Sequence, residues 1–188
     1  MKWLKYDIRQ LKDNEYNEDL SGLSKERKDY IMGNKNENDR KLSLMGEILV
    51  KKAVAEFCGI SAYDIEIQRD QNGKPYIVNL GINISISHSG DYVVCAVDNK
   101  PIGIDIEKIR DINLNVSKRF CNTDEYNYIF SNECNMPERF FKIWTAKEAE
   151  FKRLGGGKIN FKTINTMELN KKYFRFSDYL VCISAEKE

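Results

Sequence analysis

The chain has 188 residues, 41% of them apolar, which is enough for one domain with a substantial core. Thirty lysine and arginine residues against 29 aspartate and glutamate residues leave a net charge of +1, which argues against a nucleic-acid partner. No apolar stretch is long enough for a membrane helix, and the charged N-terminus does not resemble a signal peptide. Five cysteines without a C-x-x-C pair predict mostly buried, reduced thiols in a cytoplasmic protein.

The first half of the chain predicts one strand, two helices and four further strands. Residues 1–8 can form a strand, and Ser24 can cap a short helix over 23–32. Apolar residues at helical spacing predict a long helix over 39–58, which Gly59 would end. Alternating apolar residues predict strands at 65–68, 82–87, 92–97 and 102–107. Short turns between the last three strands predict a meander.

The second half predicts helices followed by closing strands. The helices are expected over 113–120, 123–131 and 137–154, and the strands over 161–169 and 173–185. The segments Asp91–Val97 and Asp178–Ser184 are similar in sequence, and each follows its own long helix. Two similar lobes would explain this repeat, and chance similarity between buried strands is the alternative. The predicted class is α+β with a mostly antiparallel sheet.

A strand with two carboxylates is the most informative segment, Gly103-Ile104-Asp105-Ile106-Glu107. Because side chains alternate along a strand, the isoleucines point into a core, while Asp105 and Glu107 lie on the other face about 7 Å apart. Two adjacent carboxylates repel each other unless a cation lies between them, and an all-oxygen pair suits Mg²⁺. The alternative is an ordinary strand that faces solvent.

The last predicted helix brings a third carboxylate and a lysine to one face. Trp144, Glu148 and Lys152 recur at every fourth residue and therefore lie one above the other. Glu148 would complete a metal site with Asp105 and Glu107, and the lysine one turn on would face a phosphate. The alternative is a surface Glu–Lys pair beside a core tryptophan.

Two turns offer groups suited to an anionic ligand. The segment over 86–90, with the sequence ISHSG, provides hydroxyls, backbone N–H groups and the only histidine of the chain. The GKP turn over 73–75 can present a lysine. The alternatives are a solvated histidine and a plain hairpin turn.

These four segments, in this order, resemble the motifs of the 4′-phosphopantetheinyl transferases, and the Sfp-type subfamily is the most similar. The pairs Arg119-Phe120 and Glu125-Tyr126 also resemble that family, and the resemblance extends over roughly residues 24–185.

The resemblance implies one folded unit of two pseudo-twofold-related lobes, about 1–105 and 106–188, each a long helix on a small, mostly antiparallel sheet. The active site would lie between the lobes. The implied reaction transfers 4′-phosphopantetheine from coenzyme A to a serine hydroxyl of an apo acyl or peptidyl carrier protein, with Mg²⁺, and releases 3′,5′-ADP. A monomer is expected, because the acidic motif lies in mid-chain, whereas the shorter members that trimerise have a single lobe. A non-catalytic binding module on the same fold and another Mg²⁺-dependent enzyme acting on a nucleotide diphosphate are the alternatives.

The resemblance also assigns roles to single residues. Asp105, Glu107 and Glu148 would hold Mg²⁺ with the diphosphate of coenzyme A. Asp105, Glu148 and Lys152 would be catalytic: Glu148 or a metal-bound water would accept the serine proton, and Lys152 would neutralise phosphate oxygens. The expected contacts to coenzyme A are Arg27, Lys28, Ser43, Gly73, Lys74, Pro75, Ser87, His88 and Lys152.

The sequence departs from the family in two places. The second basic position expected near the first helix is Tyr30, so that Arg40 or Lys35 could replace it at the 3′-phosphate. The second lobe is short, with room for about one strand between Gly157 and Tyr173. The apolar segment over 109–120 is a candidate docking surface for the carrier, and internal core is the alternative.

Overall fold

A computed structural model describes residues 1–187 as helices packed against small antiparallel sheets. The strands are β1 (Lys2–Asp7), β2 (Ile67–Arg69), β3 (Pro75–Ile77), β4 (Asn83–Ser89), β5 (Tyr92–Asp98), β6 (Ile102–Lys108), β7 (Lys171–Phe176) and β8 (Tyr179–Ala185). The helices are α1 (Asp13–Ser21), α2 (Lys25–Met32), α3 (Glu37–Cys58), α4 (Thr123–Phe130) and α5 (Met136–Arg153).

The first lobe packs α3 on a three-stranded sheet of order β1-β5-β4. The Asn36 side chain caps the N-terminus of α3, and Gly59, at φ 70°, ends it in the left-handed conformation that favours glycine. The apolar face of α3 enters a core that includes Leu49, Val50 and Ala53. A separate hairpin of β2 and β3 carries the GKP turn.

The second lobe packs α5 on a sheet of order β6-β8-β7. Helix α5 begins with a proline in its first turn, where the missing N–H costs nothing, and its buried face includes Phe140, Phe141 and Ile143. It lies so close to β6 that a Cβ at Gly103 would clash with the carbonyl oxygen of Ala149. This close approach places the polar face of α5 beside the carboxylates of β6.

The two lobes repeat one arrangement, as the similarity between residues 91–97 and 178–184 predicted. Strand β5 is the centre of the first sheet, and β8 is the centre of the second. The backbone N–H of Ile8 donates to the carbonyl of Asp91 (2.9 Å), and Ile109 N–H donates to Asp178 in the same way (2.7 Å). The α+β fold of two similar lobes, each a long helix on a small antiparallel sheet, is confirmed.

The seam between the lobes has an apolar part and a polar part. The apolar part is a shared core of β5, β6 and β8, which contains Val94, Ala96, Ile102, Ile104, Ile106, Tyr179, Val181 and Ile183. The polar part is formed by three alternate serines of β4 that contact β6. Ser85 Oγ accepts from Ile104 N (3.0 Å), Ser87 Oγ donates to a carboxylate, and Ser89 Oγ accepts from Lys108 N (3.1 Å).

Some predicted elements were wrong. The expected meander over 82–107 does not form, because β6 leaves the first sheet and pairs with β8. The expected strand over 161–169 consists of two 3₁₀ turns, at Phe161–Thr163 and Thr166–Glu168. The expected single strand over 173–185 is the hairpin of β7 and β8.

Two simpler predictions concern cysteines and membrane helices. All five cysteines are free, and three of them, Cys95, Cys121 and Cys182, are buried. Within residues 1–187, the helices include none that is both long and apolar enough to span a membrane. The lobe boundary near residue 105 remains a prediction, although β6, which begins at Ile102, pairs within the second sheet.

Candidate functional site

The polar seam opens into a cleft of about 390 Å³ where β4, β6 and α5 meet. Its lining unites three of the four motifs: Ile86, Ser87, His88, Asp105, Ile106, Glu107, Trp144, Glu148 and Lys152. The predicted convergence of the acidic strand and the lysine-bearing helix is thus present in the structure.

Asp105 is the buried centre of this cleft. Its Oδ1 accepts from Ser87 Oγ (2.7 Å) and from Lys152 Nζ (2.7 Å), and Lys152 Nζ also lies 2.8 Å from Ser87 Oγ. Its Oδ2 is the one buried side-chain N or O atom without a hydrogen-bond partner among residues 1–187. A buried carboxylate oxygen without a partner is costly, and it therefore favours the binding of a donor or a cation.

Glu107 is half-buried and held from two sides. Its Oε1 accepts from the indole N–H of Trp144 (3.0 Å), and its Oε2 accepts from Ser89 Oγ (3.2 Å). The Arg110 guanidinium lies 3.6 Å from Oε2. The carboxylate is therefore fixed in orientation, and two of its partners, Trp144 and Ser89, lie outside the strand on which it sits.

Glu148 reaches the same cleft from α5 and is half-buried. Burial raises the pKa of its carboxyl group, and the negative charges of Asp105 and Glu107 raise it further, while Lys152 acts in the opposite direction. Three carboxylates that line one cleft form a site that attracts a positive charge.

The oxygen donors of this cleft fit a hard cation such as Mg²⁺. In the part of the chain that the structure describes, no group of three or more His, Cys, Asp or Glu residues has the spacing of a preformed metal site. Lys152 supplies the positive charge beside Asp105, and Oδ2 of Asp105 is unpartnered. The unpartnered Oδ2 of Asp105 leaves one carboxylate oxygen open to a cation, and the assignment of Mg²⁺ to Asp105, Glu107 and Glu148 stays a prediction.

A second cleft, of about 230 Å³, adjoins the first because both contain Ile86 and Lys152. Its far wall is the GKP turn, Gly73, Lys74 and Pro75, and the near wall includes the glycines 155–157. The turn is held by Asp70 Oδ1, which accepts from the backbone N–H of Lys74 (2.9 Å).

His88 lines the first cleft from the end of β4, and its side chain is exposed. Crowding by surrounding protein lowers the pKa of its imidazole, and the nearby Lys152 ammonium lowers it further. A neutral imidazole can still donate one hydrogen bond to an anion.

The basic residues expected at the 3′-phosphate lie in different places. Arg27 binds the buried Glu47 carboxylate (Nε to Oε2, 3.0 Å) and Ser43 Oγ (3.0 Å), and it lines a third cleft of about 750 Å³. Arg69 shares Glu47 Oε2 with it (3.0 Å), and burial followed by the charge of Arg69 lowers the pKa of Arg27. Lys28 instead donates to the carbonyl of Ser21 (2.7 Å), outside this lining.

Neither proposed substitute lines this third cleft. Arg40 donates to the carbonyl of Asn34, and Lys35 is absent from the lining, which does contain Tyr30 and Lys51. Sequence reasoning missed Arg69, because β2 carries no motif and only the fold brings it to α3.

Most apolar residues in the candidate docking segment over 109–120 are half-buried, whereas Phe120 is buried in the core. The segment ends in a 3₁₀ helix, Leu114–Arg119, and Ile112, Leu114 and Val116 pack against the core beside α5. Each of these three side chains is therefore partly core and partly surface.

Comparisons with known proteins agree with the motifs. A model described as 4′-phosphopantetheinyl transferase, N-terminal, matches residues 10–100, and a model of the 4′-phosphopantetheinyl transferase superfamily matches residues 101–186. The 4′-phosphopantetheinyl transferase Sfp of Bacillus subtilis strain 168 is 32% identical over 81% of this chain and 69% of its own length. The chain belongs to the 4′-phosphopantetheinyl transferase family.

For two further phosphopantetheinyl transferases, the matching region covers a smaller share of the relative's own length than it does for Sfp. The 4′-phosphopantetheinyl transferase gsp of Aneurinibacillus migulanus is 36% identical over 73% of this chain and 58% of its own length. The 4′-phosphopantetheinyl transferase psf-1 of Bacillus pumilus is 38% identical over 63% of this chain and 52% of its own length. The chain thus spans a little over half the length of these two relatives. The Sfp-type assignment made from the motifs is confirmed.

Proposed function

We propose that this chain transfers the 4′-phosphopantetheine group from coenzyme A to a serine hydroxyl of an apo acyl or peptidyl carrier protein, and releases 3′,5′-ADP. The observation that supports this most is the group of Asp105, Lys152 and Ser87 at the lobe seam, with two more carboxylates beside it. Family membership supports the same reaction.

The carboxylates of Asp105, Glu107 and Glu148 would hold Mg²⁺ at the seam. The ion would offset the negative charge that develops on the diphosphate of coenzyme A as the bond to phosphorus breaks. Asp105 and Glu107 are on β6 and Glu148 is on α5, so all three carboxylates come from the second lobe, while the first lobe contributes Ser87 and His88 of β4 to the same cleft.

Glu148 is the proposed base. Its raised pKa suits a carboxylate that must accept the proton of the serine hydroxyl near neutral pH. The serine oxygen then forms a bond to the phosphorus that bears pantetheine, while the bond from that phosphorus to the bridging oxygen breaks and 3′,5′-ADP leaves. The Lys152 ammonium, already 2.7 Å from Asp105, is placed to neutralise phosphate oxygens during this exchange.

Coenzyme A would extend from this cleft along the adjoining cleft. Ser87 and His88 are the proposed phosphate contacts, and Gly73, Lys74 and Pro75 would pack at the adenine end. Arg27, supported by Ser43 and Arg69, is the proposed contact of the 3′-phosphate. Lys28 remains a weaker candidate, since its ammonium is directed to Ser21.

The carrier would dock on the segment over 109–120, which directly follows the acidic strand. We further propose that the chain acts as a monomer and that it works in the cytoplasm; the five free thiols support the reducing compartment.

A mass-shift assay tests the proposal. Purified protein, coenzyme A and Mg²⁺ are incubated with apo carriers from fatty-acid, polyketide and nonribosomal-peptide systems, with EDTA and a carrier lacking the acceptor serine as controls. We expect the mass of one 4′-phosphopantetheine to be added to the intact carrier alone. Coenzyme A binding without an adduct on any carrier would contradict the reaction and indicate a binding module.

A further inference from the structure

Glu125 and Lys147 form an ion pair that the proposed chemistry does not use. Both side chains are 0% exposed, and Lys147 Nζ lies 2.8 Å from Glu125 Oε2. Burying two charges is costly, and such a pair is tolerated only when the remaining hydrogen-bonding capacity of both groups is satisfied. Lys147 directly precedes Glu148, so the pair lies immediately behind the candidate site.

The hydrogen bonds of the pair are saturated, and most of them go to one segment. A lysine ammonium has three donors, and the two that Glu125 does not take go to the carbonyl oxygens of Phe161 (2.7 Å) and Ile164 (2.5 Å). Glu125 Oε1 accepts from both the N–H and the hydroxyl of Thr166 (2.8 Å each). The pair therefore binds the segment over 155–170 through four hydrogen bonds.

This segment has little regular structure of its own. It begins with three glycines at positive φ, 155–157, and continues through two 3₁₀ turns without a strand. Its conformation therefore depends on tertiary contacts, of which the four bonds to the buried pair are polar and directional.

The segment holds an aromatic ring against the candidate site. The Phe161 ring stacks on Trp144, with centroids 5.7 Å apart and planes inclined by 17°. The indole N–H of Trp144 in turn donates to Glu107 Oε1 (3.0 Å). A continuous series of contacts thus runs from the buried pair to a carboxylate of the proposed metal site.

We propose that the Glu125–Lys147 pair is a positioning unit for the site: it anchors the segment over 155–170 so that Phe161 holds the Trp144 indole, which orients the Glu107 carboxylate. Groups that orient a metal-binding carboxylate change metal affinity without touching the metal. The role assigned to Glu107 rests on the proposed function, but the orientation of Trp144 does not.

The first experiment measures hydrogen exchange at the indole N–H of Trp144 by NMR. The chain has two tryptophans, and a Trp3→Phe variant assigns the two indole resonances. Phe161→Leu removes the stacked ring but keeps the backbone carbonyl that Lys147 needs. We expect the Trp144 indole to exchange about 10-fold faster in this variant, while Phe161→Tyr, which keeps the ring, restores the slow exchange.

The matched control is Phe174→Leu. Phe174 is also half-buried and packs on the other tryptophan, Trp3, at 4.8 Å. We expect exchange at Trp3 to change and exchange at Trp144 to stay the same. Unchanged exchange at Trp144 in folded Phe161→Leu would overturn the proposal, whether or not the protein proves to be a transferase.

The second experiment tests the pair itself with Thr166→Val, which removes one hydroxyl from Glu125 and keeps the side-chain shape. We expect faster exchange at Trp144, and a roughly 10-fold higher Mg²⁺ concentration for half-maximal binding of coenzyme A, measured by calorimetry. The KM for the carrier should not change. Wild-type indole exchange in Thr166→Val would overturn the role of the pair. Faster exchange with unchanged Mg²⁺ dependence would overturn the link to Glu107 and leave the proposed transferase activity intact.

Discussion

The Asp105 carboxylate combines features that are rarely stable together: it is buried, charged, and bonded through only one of its oxygens. Oδ1 is held by Ser87 and Lys152, and the local electrostatic balance therefore depends on a single ammonium. Buried charges persist where they are paired, and an incompletely satisfied one is more common at functional sites than elsewhere. This residue is therefore the most sensitive point of the proposed site.

Removing only the charge of Asp105 should abolish most of the activity. Asp105→Asn keeps the size and shape of the side chain, but it loses the negative charge that Lys152 and Mg²⁺ would share. We expect kcat/KM for carrier modification to fall at least ~10²-fold, which is typical of losing one preorganised electrostatic group. The control is Asp178→Asn, the same change at an exposed carboxylate that pairs with Lys108. Full activity in Asp105→Asn, with wild-type thermal stability, would show that the metal assignment is wrong.

Arg69 should contribute to recognition of the 3′-phosphate of coenzyme A. Its guanidinium and that of Arg27 share one oxygen of Glu47, so that an incoming phosphate would find two cations already gathered. We expect Arg69→Gln to raise the KM for coenzyme A about 10-fold, the effect of one lost charge-assisted hydrogen bond. The KM for 3′-dephospho-coenzyme A should stay at the wild-type value.

Arg175→Gln is the control, because Arg175 pairs with Glu138 on the exposed surface of the second lobe. If Arg69→Gln raises the KM for coenzyme A and the KM for 3′-dephospho-coenzyme A equally, the 3′-phosphate is bound elsewhere and Arg69 only supports the fold.

The residues of the site differ in how far the sequence could predict them. Alternation along the strand correctly placed the isoleucines of β6 in a core and the carboxylates on the opposite face. Spacing along the helix placed Trp144, Glu148 and Lys152 together. The bonds from Trp144 and Ser89 to Glu107 could not be predicted, because they depend on how three separate elements pack.

At the scale of elements, the contact between α5 and β6 sets the width of the site. A Cβ at residue 103 would clash with the carbonyl oxygen of Ala149 and lie 2.6 Å from the backbone nitrogen of Arg153. The glycine of the acidic motif thus serves packing: it lets the helix approach until Lys152 reaches Asp105.

Gly103→Ala should push α5 away from β6. Because the atoms in the way belong to the backbone, the helix must shift, and we expect a loss of about 1–3 kcal/mol in the free energy of unfolding, measured by urea denaturation. Activity should fall as well, since the distance from Lys152 to Asp105 would increase. Gly81→Ala is the control, because a Cβ there meets nothing within 4 Å. Wild-type stability in Gly103→Ala would mean that the close approach does not position the helix.

Local sequence signals predicted the helices and strands better than they predicted which strands pair. The spacing of apolar residues gave α3 to within two residues of its observed start, and Gly59 gave its end. The meander failed because short turns suggest neighbouring strands, whereas β6 finds its partner more than 70 residues later in β8. The strand expected over 161–169 failed because the buried Lys147 takes the carbonyl groups of Phe161 and Ile164 that a sheet would have used.

At the scale of the whole molecule, the proposed reaction requires that a carrier reach the seam without displacing coenzyme A. The segment over 109–120 leaves the seam directly from β6, and Leu114 lies half-buried at the start of its 3₁₀ helix. The exposed part of this apolar surface can receive a carrier helix, while its inner part supports the core.

Leu114→Glu should therefore raise the KM for the carrier by about 10-fold or more, since a charge would be buried on docking. Coenzyme A affinity, measured by calorimetry without carrier, should not change. Leu154→Glu is the control, because Leu154 is also a partly exposed leucine (50%) but lies at the end of α5. An unchanged carrier KM in folded Leu114→Glu would place the docking surface elsewhere.

The two lobes should not fold separately, despite their repeated architecture. Val94 and Ala96 of β5 are completely buried, and they pack against isoleucines of β6 and residues of β8 in one shared core. A break after residue 100, in the turn before β6, would expose this core on both halves of the chain. It would also separate the β4 serines from the β6 groups to which they bond.

We expect residues 1–100 alone, and residues 101–188 alone, to show no cooperative thermal transition by circular dichroism. Co-expression of the two halves should restore both the transition and carrier modification. A cooperative transition in either isolated half would show that the lobes are independent domains, and the single folded unit proposed for this chain would be wrong.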